Sequence, residues 1–335
     1  MKENSEEILS LDSLSIGYYS GKTENVLLPP LSAKANSGEL IAVIGRNGIG
    51  KSTLLRTLAG LQQPLGGEIY YNKRNLINYS RMQLAKEVGY ISTEIIKVSN
   101  MRVYELVALG RFPHTNWIGK IEFNDHKAIM DALEKTSMGS FCDKFVSELS
   151  DGERQKVMIA RILAQDTGLM LMDEPTAFLD VAGRYEVLHL MRKLSGESQK
   201  TIIFSTHDLQ MAISQSDKIW LVLDNRLFEG APEDLMLEGA FNHLFNSSTV
   251  IFNSGDGTFS FRNESRGNIF VEGEGNKKYW TESAINRAGF TVSEVKTFPY
   301  VTTPSESNNY WRLSTHTGML EFSTIYEMIS YLGKK

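Results

Sequence analysis

A lysine and a serine close a glycine-rich stretch, Gly45-Arg46-Asn47-Gly48-Ile49-Gly50-Lys51-Ser52-Thr53. Glycine, four residues, then Gly-Lys-Ser is the pattern of a loop that cradles phosphate. Its glycines let the backbone curl until several N–H groups face one point. A helix beginning within the motif adds a field that favours an anion. Lys51 then reaches the β and γ phosphates of a bound nucleotide, and Ser52 ligates Mg²⁺. Gly45, Asn47, Gly48, Gly50, Lys51, Ser52 and Thr53 are therefore the expected contacts to the nucleotide. By itself the motif says nucleoside triphosphate and leaves the reaction open.

A second group supplies the reaction. Leu169-Met170-Leu171-Met172 is an apolar run that ends in Asp173-Glu174-Pro175. Ligands in open α/β sheets bind at the carboxyl ends of strands. Asp173 there holds Mg²⁺ directly or through water, and Glu174 polarises an attacking water as general base. Pro175 stops the strand by removing a ladder donor. Without the loop upstream, an ordinary acidic turn would be a respectable minority reading of the pair.

These groups need a scaffold of strands and helices. Ile8–Ile16 alternates loosely and reads as a strand, with Gly17-Tyr18-Tyr19 as the turn after it. Leu40–Ile44 is an unbroken apolar run, as expected of a buried strand, and Lys51–Leu58 follows as a helix. Shorter strands are expected at Gly67–Tyr71 and Gly89–Ser92. From Val103 to Gln165 the periodicity is helical, over Val103–Leu109, Asp125–Met138 and Gly152–Gln165. Strands then alternate with helices again: Leu169–Met172, Val181–Leu194, Thr201–Ser205, Leu209–Ser214 and Lys218–Leu223. Such alternation implies a largely parallel sheet. Pro232 suits the first position of a further helix.

Composition narrows the class. The 335 residues are 41% hydrophobic and 22% charged, typical of a globular protein. A net charge of -5 gives no support to a nucleic-acid-binding face. The single cysteine, Cys142, excludes an internal disulfide. Met-Lys-Glu-Asn-Ser-Glu-Glu at the start lacks the apolar core of a signal peptide, and no apolar stretch approaches the ~20 residues of a membrane span.

Between the two chemical groups lies Leu149-Ser150-Asp151-Gly152-Glu153-Arg154-Gln155. With the phosphate loop before it and the acidic pair after it, this segment resembles the signature of the nucleotide-binding subunits of ABC transporters, usually Leu-Ser-Gly-Gly-Gln or Leu-Ser-Gly-Gly-Glu. The resemblance covers roughly residues 8 to 245. It implies an α/β, ABC-type P-loop ATPase with an antiparallel β subdomain and a helical insertion at about 95–165. It also implies a head-to-tail dimer, in which Ser150 and Gly152 of one copy face the γ-phosphate held by the other. Tyr18 resembles the aromatic that stacks on adenine, with Tyr19 as competitor. Asp180, in Ala177-Phe178-Leu179-Asp180, resembles the loop that communicates across the dimer. His207, in Ser205-Thr206-His207-Asp208, resembles the histidine that contacts the γ-phosphate. Local readings stand beside these: Ser150 with Glu153 forms a capping box, and Asp180 is a good N-cap.

Two positions depart from the family pattern. Asp151 stands where glycine is usual, and its carboxylate repels a triphosphate unless it faces away or meets a cation. Thr93 stands where the family usually has a glutamine contacting Mg²⁺ and water, with Glu94 beside it. The segment Val103–Arg111, continued by Phe112-Pro113-His114-Thr115, resembles importers of iron-siderophores, haem and cobalamin. That implies a transmembrane permease as partner, a substrate-binding protein reached indirectly, and a place on the cytoplasmic, inner face of the cell membrane. The rival class is a non-transport ABC ATPase acting on nucleic acid or ribosomes. Such proteins usually carry tandem ATPase halves or a long coiled-coil insertion; this sequence has one phosphate loop and a modest insertion. A module that holds ATP without turnover is the third reading, and Lys51, Asp173, Glu174 and His207 speak against it.

The ATPase domain is assigned to residues 1–245 and an accessory α+β domain to 246–335. In the latter, Thr249–Phe252, Thr258–Phe261, Asn268–Val271, Tyr310–Leu313 and Met319–Phe322 read as strands, and Thr281–Ala288 and Ser323–Leu332 as helices. Little long helix is expected there. A dimer-stabilising appendage and a regulatory ligand site both fit.

Overall fold

The computed structural model describes residues 6–21, 23–94, 100–115, 119–224, 226–245, 250–253, 258–261, 265–305 and 309–333. They fall into two compact units, Met1–Asn246 with Phe252–Thr258, and Ser247–Ile251 with Phe259–Lys335.

The first unit opens with a long hairpin, β1 (Glu7–Ser20) and β2 (Thr23–Asn36). β1 buries Leu9, Leu11, Leu14 and Ile16. Strict alternation breaks at Ser13, where φ is 49° and the pairing register shifts. The turn expected at Gly17-Tyr18-Tyr19 is instead strand, with Gly17 opposite Val26 and Tyr18 opposite Asn25. A Cβ at Gly17 would stand 2.0 Å from the Asn25 carbonyl oxygen, so glycine there permits close strand approach rather than a turn. The chain reverses only near Gly21, at φ 65°. Pro29 and Pro30 lie within β2, which is the edge of its sheet and tolerates missing ladder donors.

Next come β3 (Leu40–Ile44), α1 (Lys51–Leu58), β4 (Gly66–Tyr71), β5 (Arg74–Asn75), α2 (Arg81–Glu87) and β6 (Val88–Ile91). Strands β2-β1-β4-β5 form an antiparallel sheet. The helical insertion is α3 (Val103–Ala108), α4 (Phe123–Lys135) and α5 (Asp151–Gln165). α4 begins two residues earlier than expected and stops short of Met138, because Ser137 takes φ 60° and leaves the helix. Val103, Leu106, Val107, Ile129, Leu133, Val157 and Ile159 fill its interior. Arg111 is buried among them, donating to Asp125 Oδ1 at 2.9 Å and to the Ala164 carbonyl at 2.8 Å.

The remaining elements complete the main sheet: β7 (Leu169–Met172), α6 (Val181–Ser198), β8 (Thr201–Ser205), α7 (Leu209–Gln215), β9 (Lys218–Val222), β10 (Leu227–Gly230) and α8 (Pro232–Leu237). The order is β10-β9-β3-β8-β7-β6, parallel except for β10. Every residue of β3, β7 and β8 is buried, which explains their unbroken apolar sequences. Register places Val43 opposite Ser205 and Met172 opposite Phe204. The carboxyl ends of β3, β7 and β8 thus share one edge, and the phosphate loop, the acidic pair and His207 leave the sheet there. Phe252 packs on Phe241 and Phe245, with ring centroids 5.7 and 6.0 Å away.

Short strands β11 (Val250–Asn253) and β12 (Thr258–Phe261) pair with each other. In the second unit, β13 (Asn268–Glu272), α9 (Gly275–Arg287), β14 (Thr291–Ser293), β15 (Tyr300–Thr302), β16 (Trp311–Thr315), β17 (Gly318–Phe322) and α10 (Ile325–Leu332) follow. Its sheet order is β14-β13-β15-β16-β17. Ile269, Val271, Ile285, Val301, Leu313 and Met328 form its core. The helix expected at Thr281–Ala288 is the second half of α9, which begins six residues earlier, at Gly275, in a polar first turn of Gly275-Asn276-Lys277-Lys278. Buried Thr281 is held by its own bond to the Lys277 carbonyl and accepts the Trp311 indole N–H at 2.9 Å. Among the described residues no helix is long and apolar enough to cross a membrane.

Candidate active site

At the shared strand edge lies a cavity of about 480 Å³ lined by Leu27, Asn47, Gly48, Gly50, Lys51, Ser52, Thr53, Glu174 and His207. The loop reaches it because Gly48 and Gly50 adopt φ of 79° and 110°, open to glycine and strained for other residues. α1 starts at Lys51 with no acidic residue in its first turn, so its N-terminal field remains available to an anion. The Lys51 ammonium donates to the Gly45 and Arg46 carbonyls at 2.9 and 3.2 Å. Burial pushes it below its usual pKa range, while Glu174 and Asp173 oppose that shift.

Asp173 is the most tightly held group. Its Oδ1 accepts from Ser52 Oγ at 3.0 Å and from Ser205 Oγ at 2.7 Å. Its main-chain N–H donates to Ile91, and its carbonyl accepts the Thr93 hydroxyl at 3.1 Å. Hydrogen bonds to a charged group contribute about 1.5–3 kcal/mol each. Glu174 follows at φ 47°, its N–H donating to Ser205 Oγ at 2.8 Å. Its Oε2 lies 3.8 Å from Nδ1 of the more exposed His207.

The other expected groups lie outside this cavity in a single chain. Ser150 caps α5: its hydroxyl accepts the Glu153 N–H at 3.3 Å, and Glu153 Oε2 accepts the Ser150 N–H at 2.8 Å. The Ser150 N–H and hydroxyl both donate to Glu153 Oε2, at 2.8 and 2.9 Å, and hold that carboxyl below its usual range. Gly152 lies in the same first turn. Asp151 meets a cation, since Arg154 Nη1 donates to its Oδ1 at 2.8 Å while Nη2 donates to the Leu149 carbonyl at 3.0 Å. Asp180 caps α6 by accepting the Gly183 N–H at 2.8 Å. Tyr18 and Tyr19 are exposed on the hairpin, and the Tyr19 hydroxyl donates to Glu24. Thr93 lines a smaller cavity with Arg154, Gln155 and Phe178.

Two residues escaped the sequence reading. Leu27 supplies an apolar wall, and nothing in its own segment signals that. Ser205 had a signal: it is the polar last residue of an apolar strand, next to Thr206-His207.

The donors present fit a nucleotide carrying Mg²⁺. Ser52 and Asp173 offer two oxygens close together, as a small hard cation requires. Among the described residues no cluster of three His, Cys, Asp or Glu makes a self-sufficient metal site. A cation here would therefore complete its shell with phosphate oxygens and water, the usual manner of Mg²⁺ in such sites.

Comparison with known proteins agrees with this chemistry. The family described as ABC transporter matches residues 28–177, and the family described as Iron ABC transporter C-terminal domain matches 266–333. An uncharacterised ABC transporter ATP-binding protein of Methanocaldococcus jannaschii is 34% identical over 267 residues, 79% of this chain and 91% of that protein. The iron(3+)-hydroxamate import ATP-binding protein FhuC of Bacillus subtilis is 37% identical over 244 residues, 72% of this chain and 89% of that one. Among solved structures, a chain ascribed to the metal-chelate type of ABC transporter, in an inward-facing conformation, superposes with a TM-score of 0.63 at 27% identity, covering 76% of this chain and 95% of that one. The chain described here belongs to the ATP-binding proteins of ABC transporters, and it is an ATPase that uses ATP with Mg²⁺.

Proposed function

We propose that this ATPase powers import of an iron chelate, siderophore-bound iron or haem, through a separate transmembrane permease. The carrying observation is the cavity that gathers Lys51, Ser52, Glu174 and His207 at one sheet edge. The iron-transporter family match over 266–333 and the hydroxamate-import relative support the cargo class. The subunit would sit on the inner face of the membrane and meet a substrate-binding protein only through the permease.

The site roles form part of this proposal. Lys51 and the N–H groups of Gly45–Thr53 bind the β and γ phosphates, and Tyr18 stacks on adenine. Ser52 and Asp173 hold Mg²⁺, which when bound offsets phosphate charge. Glu174 takes the proton of the attacking water. His207 orients the γ-phosphate, and Thr93 and Asp180 sense the nucleotide from adjoining loops. Ser150 and Gly152 of a second, head-to-tail copy close the site by presenting the α5 N-terminus to phosphate. Residues 1–245 carry this chemistry, and 246–335 tune or stabilise the dimer.

The test is reconstitution. The subunit and the membrane partner that co-purifies with it are placed in vesicles holding ATP. Uptake of a labelled ferric hydroxamate, ferric catecholate or haem is followed with external binding protein. ATP-dependent uptake of one of them supports the proposal. A partner that moves none of them, or the absence of any membrane partner, contradicts the cargo class or transport itself.

A further inference from the structure

We propose that Ser205 is a positioning residue for ATP hydrolysis: it aims the Asp173 carboxylate for Mg²⁺ and anchors the turn that carries Glu174. This rests on the reading of Asp173 as the Mg²⁺-side carboxylate. Ser205 ends β8 between β3 and β7, fully buried, with Val43 opposite. A serine hydroxyl has a single proton to give. Here that proton goes to Asp173 Oδ1 at 2.7 Å, and the oxygen accepts the Glu174 N–H at 2.8 Å. One buried side chain thus connects both acids, and its two bonds fix the hydroxyl's orientation.

Each bond has a separate consequence. Glu174 sits at φ 47°, a region disfavoured for a residue with a side chain. Such a conformation persists when its surroundings hold it, and the N–H bond to Ser205 does so from a neighbouring strand. Asp173 Oδ1 is shared by Ser52 and Ser205. Ser52 gives only its proton to Asp173, which leaves its oxygen lone pairs for a cation, while Ser205 fixes the same carboxylate oxygen from the buried strand β8. Partners that orient a metal-side ligand typically matter by about 10–100-fold in affinity or activity.

The test uses the full chain and a fluorescent ATP analogue, titrated in EDTA and then with Mg²⁺. Ser205→Ala should bind the analogue in EDTA within about twofold of wild type. Its Mg²⁺ midpoint should rise about tenfold and its turnover fall by at least that factor. Ser205→Thr, which keeps the hydroxyl, should recover most of both. A wild-type Mg²⁺ midpoint in folded Ser205→Ala overturns the inference. So does equal loss of binding in EDTA, or a folded Ser205→Thr as impaired as Ser205→Ala. Asp173→Asn is measured alongside. If it shifts the Mg²⁺ midpoint and Ser205→Ala does not, only the role of Ser205 falls. If Asp173→Asn leaves the midpoint unmoved, the reading of Asp173 falls and this inference with it.

Discussion

Glu174 Oε2 lies 3.8 Å from His207 Nδ1, and both side chains face the cavity that contains Lys51. The separation is too long for a hydrogen bond. The two groups therefore stand side by side toward a common centre rather than occupying each other. Glu174 comes from the end of β7 and His207 from the end of β8, adjacent parallel strands, so the sheet register sets their spacing. His207→Ala is expected to lower turnover by about 10²-fold or more, with ATP still bound. Phosphate release and nucleotide binding, measured on the same preparation, check this.

Asp151→Gly should leave the enzyme active. The carboxylate is exposed and paired with Arg154, whose guanidinium also holds the Leu149 carbonyl. An exposed pair of this kind contributes up to about 1 kcal/mol, and the Ser150 cap survives the change. Turnover is expected between the wild-type rate and a few-fold above it, read as a function of protein concentration. Loss of concentration-dependent turnover would show that the Asp151–Arg154 pair is needed for the site.

The buried pair of Arg111 and Asp125 is different. Burial pushes the Asp125 carboxyl up, but the Glu122 N–H and the Arg111 guanidinium together outweigh that and hold it below the usual range. Asp125→Ala leaves Arg111 buried without its charge partner, and a loss of about 3 kcal/mol is expected. Because the folded-state pKa is depressed, this stabilisation is fully present above the ordinary carboxyl range. It fades as pH falls through the still lower folded value. Urea unfolding of wild type and variant at pH 7 and at progressively lower pH should show the gap closing, provided both remain two-state. A gap that does not shrink as Asp125 protonates contradicts the assignment.

Where the chain is cut should matter. Phe252 is buried against Phe241 and Phe245 within the first unit. A truncation at 245 loses that ring, and one at 258 keeps it. The shorter form is expected to be less stable by about 1.5–3 kcal/mol, the worth of one buried phenylalanine. Both should bind ATP, since Lys51, Ser52, Glu174 and His207 are retained. Equal melting temperatures would show that Phe252 adds nothing to the ATPase unit.

Much of the site was legible because its chemistry is local. The glycines around Lys51, the acids after Met172 and the Ser150–Glu153 box each work within a few consecutive residues. Strands β3, β7 and β8 were legible because burial on both faces leaves unbroken apolar runs. What escaped depends on distant partners. Gly17 reads as a turn until Asn25 is found across the hairpin, and Pro29-Pro30 conceals a strand that is tolerated only at an edge. Three-residue strands β14 and β15 are too short for periodicity, and the start of α9 was missed because Gly275-Asn276-Lys277-Lys278 carries no apolar residue. Ser205 gains its meaning only when the register brings it beside Asp173.

On the function proposed above, ATP is hydrolysed in the cavity lined by Lys51 and Glu174, with Glu174 as general base. Glu174→Gln keeps size and hydrogen-bonding capacity but removes the base. The most direct measurement is phosphate release per mole of bound ATP for this variant against wild type, with Mg²⁺. The expected result is wild-type ATP binding with turnover reduced by about 10²–10⁴-fold. Near-normal hydrolysis by Glu174→Gln would contradict the claim.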